Sequence, residues 1–170
     1  MTKKPGRQPQ DGLTGSELRS WIMSRVPQKG TSPEMVLRSG LHRLGFRFRV
    51  VNRGLPGSPD IVLPKYRTAI FVHGCFWHRH GCRRTTTPKS NVSFWEDKFE
   101  ANVRRDALAV SHLVEKGWRV LTVWECVLKT RDMLERDRVI SSVAEWLRGE
   151  GKMHYLPSPG LSSTRSRQAP

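Results

Sequence analysis

Apolar residues recur along this chain with two different periods, and the alternation between them outlines the architecture. SELRSWIMSRV, residues 16–26, predicts a short helix with Ser16 as its N-cap. In TSPEMVLRSGLHRLG, Leu37, Leu41 and Leu44 fall at i, i+4 and i+7, one face of a second helix. Ser32 is placed to cap it, Pro33 suits its first turn, Glu34 favours the positive end of its dipole and Gly45 closes it. FRFRV, residues 46–50, alternates apolar and basic side chains and predicts a half-buried strand with Phe46, Phe48 and Val50 inward. After the loop RGLPGSP, the apolar runs DIVL and TAIFV read as buried strands separated by a turn at PKY. A long helix from about Ser93 to Lys116 carries Trp95, Phe99, Val103, Leu108 and Leu113 among its apolar positions, and Gly117 ends it. WRVLTVW, residues 118–124, is another buried strand, and a last helix over about 130–148 carries Met133, Leu134, Val139, Val143 and Leu147. The order is that of an α/β protein, a mixed sheet flanked by helices, in which chemistry gathers at strand ends.

With 170 residues the chain suits one domain and one core. Residues 13–154 are expected to form it, residues 1–12 a disordered basic arm and residues 155–170 a disordered tail, and no internal repeat is visible. No apolar run approaches the roughly 20 residues that cross a bilayer, and no apolar segment follows the charged N-terminus. The expectation is a cytoplasmic protein with no membrane partner.

Charge narrows this further. Thirty Lys and Arg against fifteen Asp and Glu leave a formal net charge of +15. A basic surface binds a polyanion by releasing its condensed counterions, so nucleic acid is the favoured partner. Plain solubility and acidic lipid are the alternatives, and no basic amphipathic anchor helix supports the second. Three cysteines, Cys75, Cys82 and Cys126, do not make a disulfide framework.

Two places carry candidate chemistry. Asp60 opens a short apolar strand after Pro59. It either ends a turn or serves as a carboxylate ligand to Mg²⁺, which in a basic protein points to phosphodiester hydrolysis. Residues 73–82 read HGCFWHRHGC. Cys75, His78, His80, Cys82 and the distant Cys126 are five candidates for the four ligands of a tetrahedral structural zinc, Cys₃His by composition. Spacing does not say which histidine is left over; a spare one near Asp60 would suit proton transfer. The alternative is that the cysteines are small buried core residues. Phe76 and Trp77 are either core or apolar wedges of the kind that unstack base pairs.

Four colinear blocks, PGSPDIV, YRTAIFVHGCFWHRHGC, FWEDKFEANVRRD and EKGWRVLTVWEC, closely resemble the very-short-patch-repair (Vsr) DNA mismatch endonucleases, over about Arg19 to Gly151. The resemblance implies a restriction-endonuclease-like fold and a Mg²⁺-dependent nick 5′ to the T of a T:G mismatch left by deamination of 5-methylcytosine. It places the metal-binding aspartate at Asp60 and a second, main-chain carbonyl ligand at Val72, where the family usually has Thr. The usual restriction-enzyme Glu-x-Lys falls on Phe71-Val72-His73. The resemblance makes His78 the catalytic histidine, supported by Asp106, and gives zinc to Cys75, His80, Cys82 and Cys126. Glu34 matches an acidic residue that reaches the metal's water shell; Phe76 and Trp77 match intercalating aromatics, and Met23 matches a methionine entering from the other groove. The implied partners are mismatched double-stranded DNA, then mismatch-repair proteins and a DNA polymerase after the nick. The protein would act as a monomer at the bacterial nucleoid, its flanking-sequence preference tracking a cytosine methyltransferase. Two rivals use the same residues: a general DNA nuclease on the same scaffold, and a non-catalytic zinc module, which fits poorly with Asp60, His78 and Asp106 together.

Overall fold

The computed structural model describes residues 29–50 and 54–156, together with Leu18, Trp21, Arg25 and Pro27. The chain divides into two compact units, Met1–Thr31 and Ser32–Pro170. In the first, Leu18 and Trp21 are helical, and the Arg25 guanidinium lies 3.7 Å over the Trp21 ring. Met23, the basic arm at 1–12 and the expected domain start at 13 lie outside the described residues.

The second unit runs α1 (Ser32–Arg43), β1 (Ile61–Leu63), a 3₁₀ turn (Pro64–Tyr66), β2 (Thr68–His73), α2 (Val92–Glu115), β3 (Arg119–Trp124), α3 (Glu125–Leu128), α4 (Met133–Arg148) and β4 (Met153–Leu156). The sheet order is β1-β2-β3-β4. β1 is antiparallel to β2, and β2, β3 and β4 are parallel, with α2 and then α3–α4 as the crossovers. This is the mixed sheet flanked by helices that the apolar periods predict.

Period two on the strands divides the core. Ile70 of β2 and Leu121 and Val123 of β3 pack with Leu37 and Leu41 of α1 and Ile140, Val143 and Leu147 of α4. Ala69 and Phe71 of β2 and Val120 of β3 face the opposite way, onto Ala109 and Leu113 of α2. Both faces of β2 and β3 are therefore covered, which is why these strands read as continuous apolar runs. At the crossing of α1 and α4, a Cβ on Gly40 would fall 2.5 Å from Ile140 Cδ1, so only glycine lets the helices meet there.

The structure departs from the sequence reading in three places. FRFRV does not form a strand: Phe46 is buried and Phe48 partly so, but Val50 is exposed, and among the described residues pairing is limited to the Arg49–Val62 bridge. β1 has only three residues, and among the described residues its outer edge meets a single bridge partner, Arg49. Tyr155 and Leu156 belong to β4, paired with Thr122 and Val123, although the sequence assigns them to a polar tail. The composition of the residues that follow hides the short apolar alternation of MHYL. Leu44, Val103, Leu108, Met133 and Leu134 have helical spacing yet are exposed. Each helix has a single apolar stripe against the sheet, and α4 starts at Met133 with its Asp132 cap, about two turns before its buried stripe begins at Ile140.

Leu41 and Leu44 of the same sequence pattern are thereby distinguished, at 0% and 45% exposure. Urea denaturation of Leu41→Ala is expected to show a loss of about 2–5 kcal/mol, and of Leu44→Ala less than about 1 kcal/mol.

Candidate active site

β2 and β3 end side by side, with His73 paired to Trp124, and the chemistry-bearing residues collect around that end of the sheet. Asp60 precedes β1 and is tied down on three sides. Its N–H donates to the Ile70 carbonyl (3.0 Å), its Oδ2 accepts from the Val72 N–H (2.7 Å), and its carbonyl accepts from Arg38 Nη2 (3.0 Å). Burial pushes the Asp60 carboxyl up to about 6, against the Val72 hydrogen bond, with the Glu34 carboxylate adding to the rise. The N–H and C=O of one strand residue leave on the same edge, so the Val72 carbonyl shares the side on which its N–H meets Asp60. Valine in place of threonine leaves that main-chain geometry intact. Glu34, in the first turn of α1, is 2% exposed and pairs with Arg38 at 2.8 Å.

From Gly74 the chain makes one helical turn: His78 N–H bonds the Gly74 carbonyl, and His80 N–H reaches back to the Cys75 carbonyl. That last bond spans six residues, the closure of a Schellman motif, and it needs a left-handed residue just before its donor. Arg79 takes that place with φ 56°, a conformation costing a non-glycine residue about 1–2 kcal/mol. The reversal at Arg79 sends the two histidines apart. His78 Nδ1 meets the Asp106 carboxylate in a short hydrogen bond, while His80 Nδ1 lies 3.7 Å from Cys75 Sγ and 3.6 Å from Cys126 Sγ. The Arg79 side chain donates to the Thr86 carbonyl and to Thr87 Oγ1 and covers the Phe99 ring at 4.5 Å.

Cys75, His80, Cys82 and Cys126 place their ligand atoms within 4.8 Å of one another and could hold a metal ion. Tetrahedral zinc with bonds of roughly 2.3 Å to sulfur and 2.05 Å to nitrogen sets those atoms about 3.6 Å apart, which the His80–cysteine distances match. The surroundings suit thiolates. The Arg84 N–H points at Cys82 Sγ (3.4 Å), and Thr85 Oγ1 accepts from Gly81 N–H and donates to the Cys75 carbonyl. A hydrogen bond shared by Cys75 and Cys126 holds the first thiol up and the second down, as expected of two sulfurs left to share a proton. Cys126 comes from α3, whose Glu125 also accepts the Cys75 N–H (3.1 Å) and pairs with Lys129.

The structure adds residues to those the sequence suggests. His73 is 8% exposed and stacks flat on His78, ring centroids 4.0 Å apart and planes 7° apart. Burial, then the charge of His78, lowers His73 to about 3, so it is neutral at physiological pH. Trp124 stands edge-on to His73 and stacks on His80, joining the two clusters through one ring. Asn102, one turn before Asp106 on α2, donates to the Trp77 carbonyl at 3.1 Å. The NVRRD spacing could have indicated that pair; the sequence showed His73 only at the head of HGCFWHRHGC and where the Lys of Glu-x-Lys falls, with nothing to pair it with His78. Phe76 and Trp77 meet edge to face and are half-buried, with Phe76 also packed edge-on to Trp95 and Phe99. Trp95 and Phe99 are buried and back the exposed Phe94.

A mixed sheet with flanking helices and a half-buried carboxylate where β1 meets β2 defines the fold as restriction-endonuclease-like. Among known proteins, the family model for the DNA mismatch endonuclease Vsr matches residues 11–84. The Type II nicking enzyme V.XorIIP of Xanthomonas oryzae pv. oryzae is 49% identical over 119 residues, 70% of this chain and 88% of that one. The DNA mismatch endonuclease Vsr of Escherichia coli is 41% identical over 143 residues, 84% and 92% of the two chains. The Type II nicking enzyme V.NmeAIP of Neisseria meningitidis serogroup A is 42% identical over 127 residues, 75% and 90%. The chain belongs to the Vsr DNA mismatch endonuclease family.

Elemental analysis of the purified protein is expected to find one tightly held metal ion per chain, and Cys126→Ser is expected to lose it. Thr85→Val should keep the ion but weaken its retention against a competing chelator by roughly 10–100-fold. Full retention by Cys126→Ser would contradict the four-residue site.

Proposed function

We propose that this protein nicks one strand of duplex DNA 5′ to the T of a T:G mismatch left by deamination of 5-methylcytosine, opening very short patch repair. The observation that carries the reading is the convergence at one sheet end of the half-buried Asp60 carboxylate with the His78–Asp106 pair. The formal charge of +15 suits a phosphate backbone, and among the described residues no helix is long and apolar enough to cross a membrane.

In this mechanism His78 takes the proton of an attacking water as the water oxygen bonds to phosphorus. The phosphorus–oxygen bond to the leaving sugar then breaks. Asp106 holds the ring through Nδ1, so Nε2 is the nitrogen that faces the water, and a carboxylate partner stabilises the imidazolium that forms. His73, kept neutral by burial, fixes the plane of the His78 ring without adding a competing charge. Asp60 and the Val72 carbonyl would hold a magnesium ion, with Glu34 reaching its water shell, and that ion would supply Lewis-acid stabilisation of the phosphorane and the leaving oxygen. Zinc in the Cys75, His80, Cys82 and Cys126 cluster would be structural, since all four ligand positions come from protein.

Phe76 and Trp77 stand on the loop that carries His78 and would enter the stack at the mismatch; a mismatched step costs less to open, which gives part of the selectivity. Met23 would enter from the opposite groove. The enzyme would act as a monomer on the chromosome in the bacterial cytoplasm, followed by mismatch-repair proteins and a DNA polymerase.

A strand-resolved nicking assay on duplexes differing in one T:G or C:G pair tests the reading. The T:G duplex should be cut selectively with Mg²⁺, and equal cutting of both would favour a general nuclease. Asp60→Ala should abolish nicking, and His78→Ala should lower it by about 10²–10⁴-fold. Binding without nicking by the native protein would favour a non-catalytic module.

Asp60 also sets a pH dependence. With its carboxyl raised to about 6, it is anionic above that pH, and protons compete with the metal below it. The apparent Mg²⁺ affinity should be flat above about pH 7 and fall about ten-fold per unit below about pH 6. An ordinary aspartate would show that fall only below about pH 4.

A further inference from the structure

Arg38 is not among the residues that the sequence or the proposed chemistry singles out, yet it joins two of them. Glu34 comes from α1 and Asp60 from the start of β1, and the two carboxylates repel. Arg38, one helical turn after Glu34 and 14% exposed at its side chain, lies between these elements. A single nitrogen, Nη2, donates both to Glu34 Oε2 at 2.8 Å and to the main-chain carbonyl of Asp60 at 3.0 Å. The guanidinium therefore grips the backbone of Asp60 and leaves its carboxylate available. Val72 N–H engages Oδ2, and no hydrogen bond to Oδ1 is formed among the described residues.

We propose that Arg38 is the positioning residue of the ion site: by tying the Glu34 carboxylate to the Asp60 main chain, it sets the spacing of the two carboxylates. This rests on Asp60 as an ion ligand. The charge of Arg38 by itself works against a nearby cation, so a variant that removed only charge would bind the ion more tightly. Arg38 also favours the anionic form of Asp60, so the comparison is made at about pH 8, where Asp60 is anionic with or without it; there weaker binding reports lost geometry, and the sign of the effect separates the two roles.

The test is Mn²⁺ binding to the full-length protein without DNA, followed by the electron paramagnetic resonance signal of the free ion. Arg38→Gln should raise the Mn²⁺ dissociation constant ten-fold or more, and Arg38→Lys, which keeps a donor of shorter reach, should fall between it and the native protein. Affinity for the T:G duplex in EDTA should stay within two-fold. Unchanged or tighter Mn²⁺ binding by Arg38→Gln would overturn the proposal, as would a loss of DNA affinity in EDTA with Mn²⁺ binding intact, which would make Arg38 a phosphate contact. If circular dichroism shows Arg38→Gln to be unfolded, Arg38→Lys decides alone: at least three-fold weaker Mn²⁺ binding supports the proposal and native affinity overturns it. Asp60→Asn in the same assay separates the two layers. Retained Mn²⁺ affinity there removes the ion site itself, whereas its loss there with native binding in Arg38→Gln removes only the role of Arg38.

Discussion

The parallel pairing of β2 with β3, in the register that sets His73 against Trp124, is the constraint on which the rest of this structure depends. It ends two buried strands at the same level. The chain leaves β2 into the loop that carries Phe76, Trp77 and His78, and leaves β3 into the short helix that carries Cys126. Both strands are covered on two faces by helices, so this end of the sheet is a rigid frame. A slip of one residue would turn Trp124 away from both His73 and His80, and the series of ring contacts His78–His73–Trp124–His80, two stacked and the middle one edge-on, would not form.

On that frame the loop resolves a conflict built into its own sequence. In the proposed function neighbouring residues must face a metal site, a proton-transfer site and a wedge, and a regular strand or helix would give them only fixed directions. One helical turn followed by a left-handed residue at Arg79 breaks the regularity at the needed point. The strain is held from outside the loop, by Arg79 on Thr86, Thr87 and Phe99, by Asn102 on the Trp77 carbonyl and by Glu125 on the Cys75 N–H.

Much of the frame was legible in the sequence because buried parallel strands and one-sided helices have distinct apolar periods, and DIVL, TAIFV and WRVLTVW fall where β1, β2 and β3 lie. FRFRV misled because alternation reports a half-buried chain and not the presence of a partner edge, and among the described residues β1 pairs with it at one residue. β4 was lost for the opposite reason, a real edge with a pattern only four residues long. At the candidate site, residue types indicated soft ligands, a carboxylate and a wedge, and spacing left one histidine too many. The fold groups His80 with the cysteines and His78 with Asp106, and the cause is the backbone sign at Arg79, which no glycine marks. His73, Asn102, Glu125 and Arg38 stayed hidden because their partners are 5 to 50 residues away or belong to the main chain.

The central claim is that a metal-braced loop holds the wedge and the proton-transfer histidine in fixed relation to one phosphate. The most direct measurement removes the cluster metal reversibly and follows two signals on the same T:G duplex: fluorescence of a 2-aminopurine beside the mismatch, which reports unstacking, and single-turnover nicking with Mg²⁺. The account predicts that both are lost together on removal and return together when zinc is restored. Nicking and unstacking that persist without the metal, or loss of one without the other, would contradict it.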